Sequence, residues 1–531
     1  MHCKTELIDY ADTGYFSHLI TSYLHEDPRL KPFYRYSPAH PDFQGAIAAR
    51  AAFPTDRKLL VDELNHAYQD MELHDKVQQN LRLLEKENTF TICTAHQPNL
   101  FTGYLYFVYK VLQAVKLAAY LGEKYPEKNF VPVYYMGSED NDLDELGTVH
   151  LDGATYRWET GQKGAVGRMN TSGMEALIDQ VTRPLGVGPF AQEITLLLKE
   201  AYLQHPDIQT ATLYLVNALF GRYGLLVVIA DTPGFKRAIA PLMWQELTEQ
   251  SSFSIVKQTI TELSAHYPPQ ATPREINLFY LTEQSRERIV MENDHWRVLN
   301  TDKIFDREQL KQELGEHPER FSPNVILRGL LQETILPDIA FIGGGGELAY
   351  WLELTDLFSH HAIPFPVLML RNSFLWVDAR SMQRLGKTGL SPRDLFTDTE
   401  TLISDYVKKH TRHDLVLKTA YEQIEKLYTG LEGKAGEIDV TLKASVGAER
   451  KKSLCSIGKL EHKFLRAEKK RFAWQSDLIR GIKDKLFPHH SLQERVENVL
   501  PFYAAYGPDF IDTVYEHLDP LNKKFTILEC S

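Results

Sequence analysis

Thr91-Ile-Cys-Thr-Ala95 runs into His96-Gln-Pro-Asn-Leu-Phe-Thr-Gly103 and an amphipathic stretch from Tyr104 to Leu121; Phe130-Val-Pro-Val-Tyr-Tyr-Met136 then runs into Gly137-Ser-Glu-Asp-Asn-Asp-Leu-Asp-Glu145. Two short apolar runs joined by a helical pattern read as a β-α-β unit, and so as part of a parallel sheet. In such sheets ligands bind beyond the carboxyl ends of the strands. Both polar clusters, 96–103 and 137–145, fall at that end.

Working outward, Leu225–Asp231 reads as another buried strand of the same sheet, with Thr232-Pro-Gly opening a helix that carries Pro in its first turn. Ile339–Ile342 leads into Gly343-Gly-Gly-Gly346, and Pro366–Leu370 leads into Arg371-Asn-Ser373. Thr148–Gly167 reads as a strand pair broken by Gly153 and Gly161, and 270–325 as a mixed inserted subdomain. The expected organisation is a mainly helical segment over 1–88 and a Rossmann-like α/β core over 89–385. Insertions at about 148–220 and 255–325 interrupt that core. A helical coiled coil over 386–490 and a segment over 491–531 that returns to the core complete the chain.

The coiled-coil reading rests on 413–486, which lacks proline and spaces its apolar residues helically: Leu417, Tyr421, Ile424, Leu427 and Leu431, then Leu454, Ile457, Leu460, Phe464 and Ala467. Ala444–Ala448 would break this into an antiparallel hairpin, with Gly433 and Gly436 as competing breaks. Stripes this long need a partner, either each other or a second chain. The last segment reads as two helices and a strand, Lys524–Glu529.

Composition narrows the function. With 59 basic and 71 acidic residues the net charge is −12, which argues against general nucleic-acid binding. The N-terminus lacks the basic-then-apolar pattern of a signal peptide, and no apolar run is long enough to span a bilayer. Cys3, Cys93, Cys455 and Cys530 are too scattered for a metal knuckle or a disulfide framework, a usage that suits a reducing cytoplasm.

Four clusters carry candidate chemistry. Amides over 98–103, with His96, Gln97, Asn99, Thr102 and Gly103, read as an anion site at a helix N-terminus; the competing reading is a plain turn and cap. Neither G-x-x-x-x-G-K-[ST] nor G-x-G-x-x-G occurs there. Glu139, Asp140 and Asp142 offer carboxylates for an amine, a hydroxyl or general-base work, against the competing reading of a helix start enriched in acids. Their spacing fits no EF-hand, and no metal site is expected. Gly344, Gly345 and Gly346 let a ligand approach the main chain, and Glu347 and Tyr350 share one helix face. Arg371 and Ser373 suit a phosphate or carboxylate, although alone they would read as a surface ion pair.

Several of these motifs together resemble the BshC family, the cysteine-adding enzymes of bacillithiol synthesis. The matching residues are Thr94–Gly103 with Leu105–Lys110 and Lys116-Leu-Ala, Val131-Pro-Val133 with Glu139-Asp-Asn-Asp142, Gln162–Gly167, Gly345–Trp351, and Leu486-Phe-Pro with Leu492–Arg495. The resemblance implies a Rossmann-type core related to class I aminoacyl-tRNA synthetases, with connective insertions and a coiled coil supporting a homodimer. It also implies a cytoplasmic ligase that joins cysteine to the amine of glucosaminyl-malate, giving the low-molecular-weight thiol bacillithiol. By the synthetase analogy, ATP with Mg would activate the cysteine carboxylate. His96–Asn99 and Arg371–Ser373 would lie near the nucleotide, and Glu347 and Tyr350 near the second substrate. His96, Asp140 and Asp142 would carry the catalysis. No structural metal is implied.

The chain departs from the pattern in places. It has Gly344-Gly-Gly-Glu347 where many members have Gly-Pro-Gly-Glu, Leu370-Arg371 where they have Pro-Arg, and no Lys-Met-Ser-Lys-Ser loop. Two other readings are weighed beside the ligase. One is a Mg-dependent nucleotide-sugar or phosphate-ester enzyme using the 139–145 carboxylates. The other is a coiled-coil dimer that binds a ligand without turnover. Neither nucleic acid nor membrane is expected as a partner.

Overall fold

Eight consecutive buried residues, Thr89–His96, form the central strand of the molecule. A strand apolar on both faces needs cover on both, as parallel sheets have. In the computed structural model, which describes residues 2–530, this strand (β1) joins β2 (Asn129–Met136), β3 (Leu226–Ile229), β4 (Asp338–Gly343) and β5 (Val367–Leu370). All pairings are parallel, in the order β5-β4-β1-β2-β3. This is the Rossmann order, whose topological switch point lies between β1 and β4. The helix Tyr106–Lys124 carries the chain from β1 to β2, and its Ala114, Leu117 and Leu121 join Phe90, Ile92, Phe130 and Ile339 in one buried cluster.

The segment between β2 and β3 begins with a hairpin, Thr148–Leu151 against Ala154–Arg157, and continues as helices. Its strands end at Arg157, short of the expected Gly167. Between β3 and β4 lies an antiparallel sheet in the order Ile304–Phe305, His295–Val298, Arg286–Glu292, Leu278–Leu281, Phe321–Pro323. This insertion supplies one wall of the site described below.

The helical expectation for the N-terminal segment misses the strand Cys3–Asp9, which neighbours Lys524–Cys530 in a three-stranded sheet. Cys3 and Cys530, read from sequence as too scattered for a disulfide framework, are each disulfide-bonded; among the described residues Cys93 and Cys455 are free. Cys93 is buried in β1, and burial pushes its thiol up.

The chain divides into two units, Met1–Leu375 with Ser491–Leu528, and Trp376–His490 with Glu529–Ser531. In the second, the helices Lys418–Ile438 and Leu442–Arg471 form an antiparallel hairpin. Arg450 pairs with Glu425 at 3.7 Å and Glu432 at 3.5 Å, and Tyr428 Oη meets Ser453 Oγ at 2.8 Å. The break falls at 439–441, between the two sites weighed from sequence. There the Asp439 carboxylate accepts from the Thr441 amide and hydroxyl at 2.8 Å each, a local side-chain bond that competes with helix. Among the described residues no helix is long and apolar enough to cross a membrane.

Candidate active site

β1 ends at His96 and β4 at Gly343, and the cleft beyond them, about 760 Å³, lies at the switch point. Of the residues picked from sequence, His96, Gln97, Glu139, Asp140, Gly344, Gly345, Gly346, Glu347, Tyr350 and Arg371 line it.

The His96 ring is stacked on Phe107 with centroids 5.4 Å apart and meets the Tyr106 ring edge-on at 5.5 Å. Burial, with Lys110 and Arg371 nearby, holds its pKa well below the usual histidine range. The ring is therefore neutral at pH 7. Its buried Nε2 has no partner among the described residues, and such an atom needs one. Two turns are stitched together here: Gly137 N donates to His96 O at 2.8 Å, Tyr134 Oη donates to the carbonyls of His96 and Gln97, and Gln97 Nε2 donates to Asp140 Oδ2 at 3.2 Å.

The loop before the helix is shaped differently from a simple helix start. Phe101, Thr102 and Gly103 all have positive φ, 55°, 71° and 69°, a conformation that costs non-glycine residues energy. Gly103 is required, because a Cβ there would sit 2.6 Å from Asn99 Cβ. Three groups hold the loop. Tyr202 Oη accepts from Phe101 N at 3.0 Å; Asn498 Nδ2 donates to Phe101 O at 3.0 Å and Gly103 O at 2.6 Å; Leu105 N donates to Glu497 O at 2.7 Å. The helix itself starts only at Tyr106. The amides of Asn99, Phe101 and Gly103, expected to face an anion, are thus already bonded within the protein. Asn99, Thr102 and Gly103 do not line the cleft, although Asn99 Oδ1 and Thr102 Oγ1 are buried without a partner.

The acidic cluster divides by role. Glu139 is ion-paired with Lys236, whose ammonium is fully buried and also donates to Phe321 O at 2.9 Å. Asp231, at the end of β3, takes both arms of Arg168 at 2.6 Å. Asp140 faces the cleft and accepts from Gln97 and from the Asp142 amide. Asp142, expected to be catalytic, lies outside the cleft. It is exposed and accepts from Glu145 N at 3.1 Å, which caps the short helix Leu143–Leu146.

Across the switch point, Glu347 closes a capping box on Gly344 N at 2.8 Å and accepts from Lys110 Nζ at 2.6 Å. Lys110 also donates to Ala95 O at 2.5 Å, and its burial lowers its pKa against the pull of Glu347. Arg371 is paired with buried Glu494 at 2.7 Å, donates to Ser373 Oγ at 3.1 Å and lies over the Tyr106 ring at 4.7 Å. Ser373 supports that arginine from behind and does not line the cleft. The cleft also draws on residues the sequence reading passed over: Tyr104, Tyr106 and Tyr135 from the core, Phe279, Arg286, Asn324 and Arg328 from the insertion, and Arg495 from the returning segment.

Family models match both parts of the chain. Residues 2–372 match the N-terminal Rossmann-like domain of bacillithiol biosynthesis BshC, and residues 374–530 its C-terminal coiled-coil domain. Curated relatives named "Putative cysteine ligase BshC" align over nearly the whole chain. The one from Flavobacterium johnsoniae is 39% identical over 526 residues, that from Flavobacterium psychrophilum 38% over 528, and that from Christiangramia forsetii 37% over 531, each covering 99% of both chains. With a parallel core in Rossmann order, a helical hairpin and end-to-end similarity to these relatives, the chain belongs to the BshC family of bacillithiol biosynthesis.

Proposed function

We propose that this protein is a ligase that forms an amide between the carboxylate of L-cysteine and the amine of glucosaminyl-malate, yielding bacillithiol, with a nucleotide activating the carboxylate. The observation that carries the reading is the unpartnered Nε2 of neutral His96, buried at the mouth of β1 in a cleft that also holds Asp140 and several cationic side chains. An orphan polar atom on a residue that lines a cleft at the switch point is a place where a bound ligand would complete the bonding. A nucleotide such as ATP, carried with Mg, would supply the leaving group that turns the cysteine carboxylate into an acyl donor. His96 would bond its phosphate or the activated carbonyl, and the open main chain at Gly344–Gly346 would let it lie close.

The amine then attacks the carbonyl carbon, loses one proton and expels the nucleotide portion as the C–N bond forms. Asp140 is the acid placed to orient the amine and receive that proton, because Glu139 is already neutralised by Lys236. Glu347 and Tyr350, which line the cleft, would contact the second substrate, and Arg371 lies over the Tyr106 ring beside them.

A homodimer through the hairpin belongs to the same reading. Leu427, Leu431, Leu460 and Phe464 stay 40–60% exposed on the hairpin helices, so the stripe is not consumed within one chain.

The test is turnover by purified protein, followed by mass spectrometry, with cysteine, glucosaminyl-malate and ATP·Mg. Bacillithiol formed only with nucleotide, with stoichiometric AMP or ADP, is expected. No product with any nucleotide would remove the reading.

A further inference from the structure

Most of the charges around the cleft are balanced by the protein itself. Lys110 is paired with Glu347, Arg371 with Glu494 and Lys236 with Glu139. Three cleft arginines lack such a pairing: among the described residues no carboxylate lies within ion-pair distance of Arg495, from the returning segment, or of the two on the insertion side, Arg286 and Arg328.

Arg286 and Arg328 are nonetheless held in place by neutral groups. Arg286, at the start of an insertion strand, donates from Nε to Ser322 Oγ at 3.0 Å and from Nη2 to Pro323 O at 3.1 Å, with its guanidinium 4.1 Å from the Phe279 ring centroid. Arg328, on the helix Val325–Ile335, donates from Nη2 to Tyr350 Oη and lies 5.7 Å from the Tyr135 ring centroid. A guanidinium has five N–H donors, so both keep donors free. Fixing two cations against aromatic faces, with no counter-charge within ion-pair distance, costs solvation that an incoming anion would offset.

We infer that Arg286 and Arg328 form a site for a clustered oxyanion group and, resting on the ligase reading, that it receives the two carboxylates of the malyl arm of glucosaminyl-malate. The planar fork suits carboxylate and phosphate alike. Placement favours the malyl arm. Glu139, Asp140 and Asp231 are the carboxylates whose charge acts on Arg286; the first two line the cleft, and Asp140 is the group assigned to the amine. A substrate carrying an amine and two carboxylates would set its opposite charges against that alternation of acid and arginine. The nucleotide, in contrast, would be held by His96 and the glycine turn on the same ligase reading.

The experiment is calorimetric titration of the full-length protein with three probes: glucosaminyl-malate, methyl glucosaminide (which lacks the carboxylates) and ATP. Arg286→Met and Arg328→Met are each expected to weaken glucosaminyl-malate binding at least tenfold, and to leave ATP binding and the melting temperature nearly unchanged. Arg286→Lys and Arg328→Lys keep the charge without the fork, and an intermediate loss is expected. If a Met variant melts early, its Lys counterpart decides. Unchanged glucosaminyl-malate affinity in folded variants would overturn the site. Loss of ATP binding instead would overturn the malyl assignment in favour of phosphate. These titrations need no turnover, so they stand apart from the reaction itself: tight, arginine-dependent binding without amide formation would keep the site and remove the ligase reading.

Discussion

Lys110 Nζ donates to Glu347 Oε2 at 2.6 Å and to Ala95 O at 2.5 Å. One buried ammonium therefore ties the end of β1 to the helix that follows β4, across the switch point. Removing one partner of a buried pair leaves the other charge uncompensated, which costs about 3–5 kcal/mol when both are fully buried. Glu347 is a quarter exposed, so Lys110→Met is expected to cost about 2–3 kcal/mol, at or below the low end of that range. Glu347→Gln should cost at least as much, since it leaves the more deeply buried Lys110 ammonium, 1% exposed, without its counter-charge although an amide oxygen still accepts from it. Urea unfolding of the two variants checks the order.

Asp140 and Asp142 are two residues apart and should behave oppositely. Asp140→Asn removes the cleft carboxylate and is expected to lower kcat at least tenfold. Asp142→Ala removes only a helix cap, worth about 1 kcal/mol, and should leave kcat within twofold. Steady-state kinetics on both variants, with thermal melts alongside, separates the roles. Equal losses of kcat would return Asp142 to the chemistry.

Asn498 is expected to matter far beyond its distance in sequence from the loop it holds. Asn498→Ala leaves the carbonyls of Phe101 and Gly103 without a side-chain donor, at a cost of about 1–3 kcal/mol. The positive-φ turn over 101–103 would then relax. Faster amide exchange at 101–105, with little change elsewhere, is the expected signature. Gly103→Ala should destabilise by a comparable amount, because the new Cβ clashes with Asn99.

Burial pushes Glu497 up to about 7 from its ordinary 4.5, although its carboxylate accepts from Asp152 N at 3.1 Å. A carboxyl raised on folding favours the folded state while it stays protonated. Stability from this group therefore falls as pH rises from about 4.5 to about 7 and is flat above that. Glu497→Gln is expected to flatten this part of the profile and to raise the melting temperature at pH 8 relative to wild type. Melting curves from pH 4.5 to 8 measure it.

The β-α-β unit was legible because its strands are continuous apolar runs and its crossover is amphipathic. Strand order was not, since the pairing of β4 with β1 depends on contacts some 250 residues apart in sequence. The cleft was found through the residues that end β1, β2 and β4. Arg286 and Arg328 escaped because a lone arginine in an insertion gives no local signal. Lys110 did carry one: it is a buried cation on the core helix, beside Gln113. The acidic run hid its division of labour, because spacing shows carboxylates but not that Lys236 neutralises Glu139 or that Asp142 caps a turn. The hairpin break was misplaced because glycine and small residues were weighed above the side-chain bonds of Asp439. The strand Cys3–Asp9 was missed because only one of its seven residues is buried.

On the ligase reading, this cleft activates the cysteine carboxylate before the amine attacks it. The most direct test uses cysteine labelled with ¹⁸O in its carboxylate, together with glucosaminyl-malate and ATP·Mg, with both products analysed by mass spectrometry. One ¹⁸O atom in the released AMP or phosphate is expected for every amide formed. Amide formation with no label in either nucleotide product would contradict it.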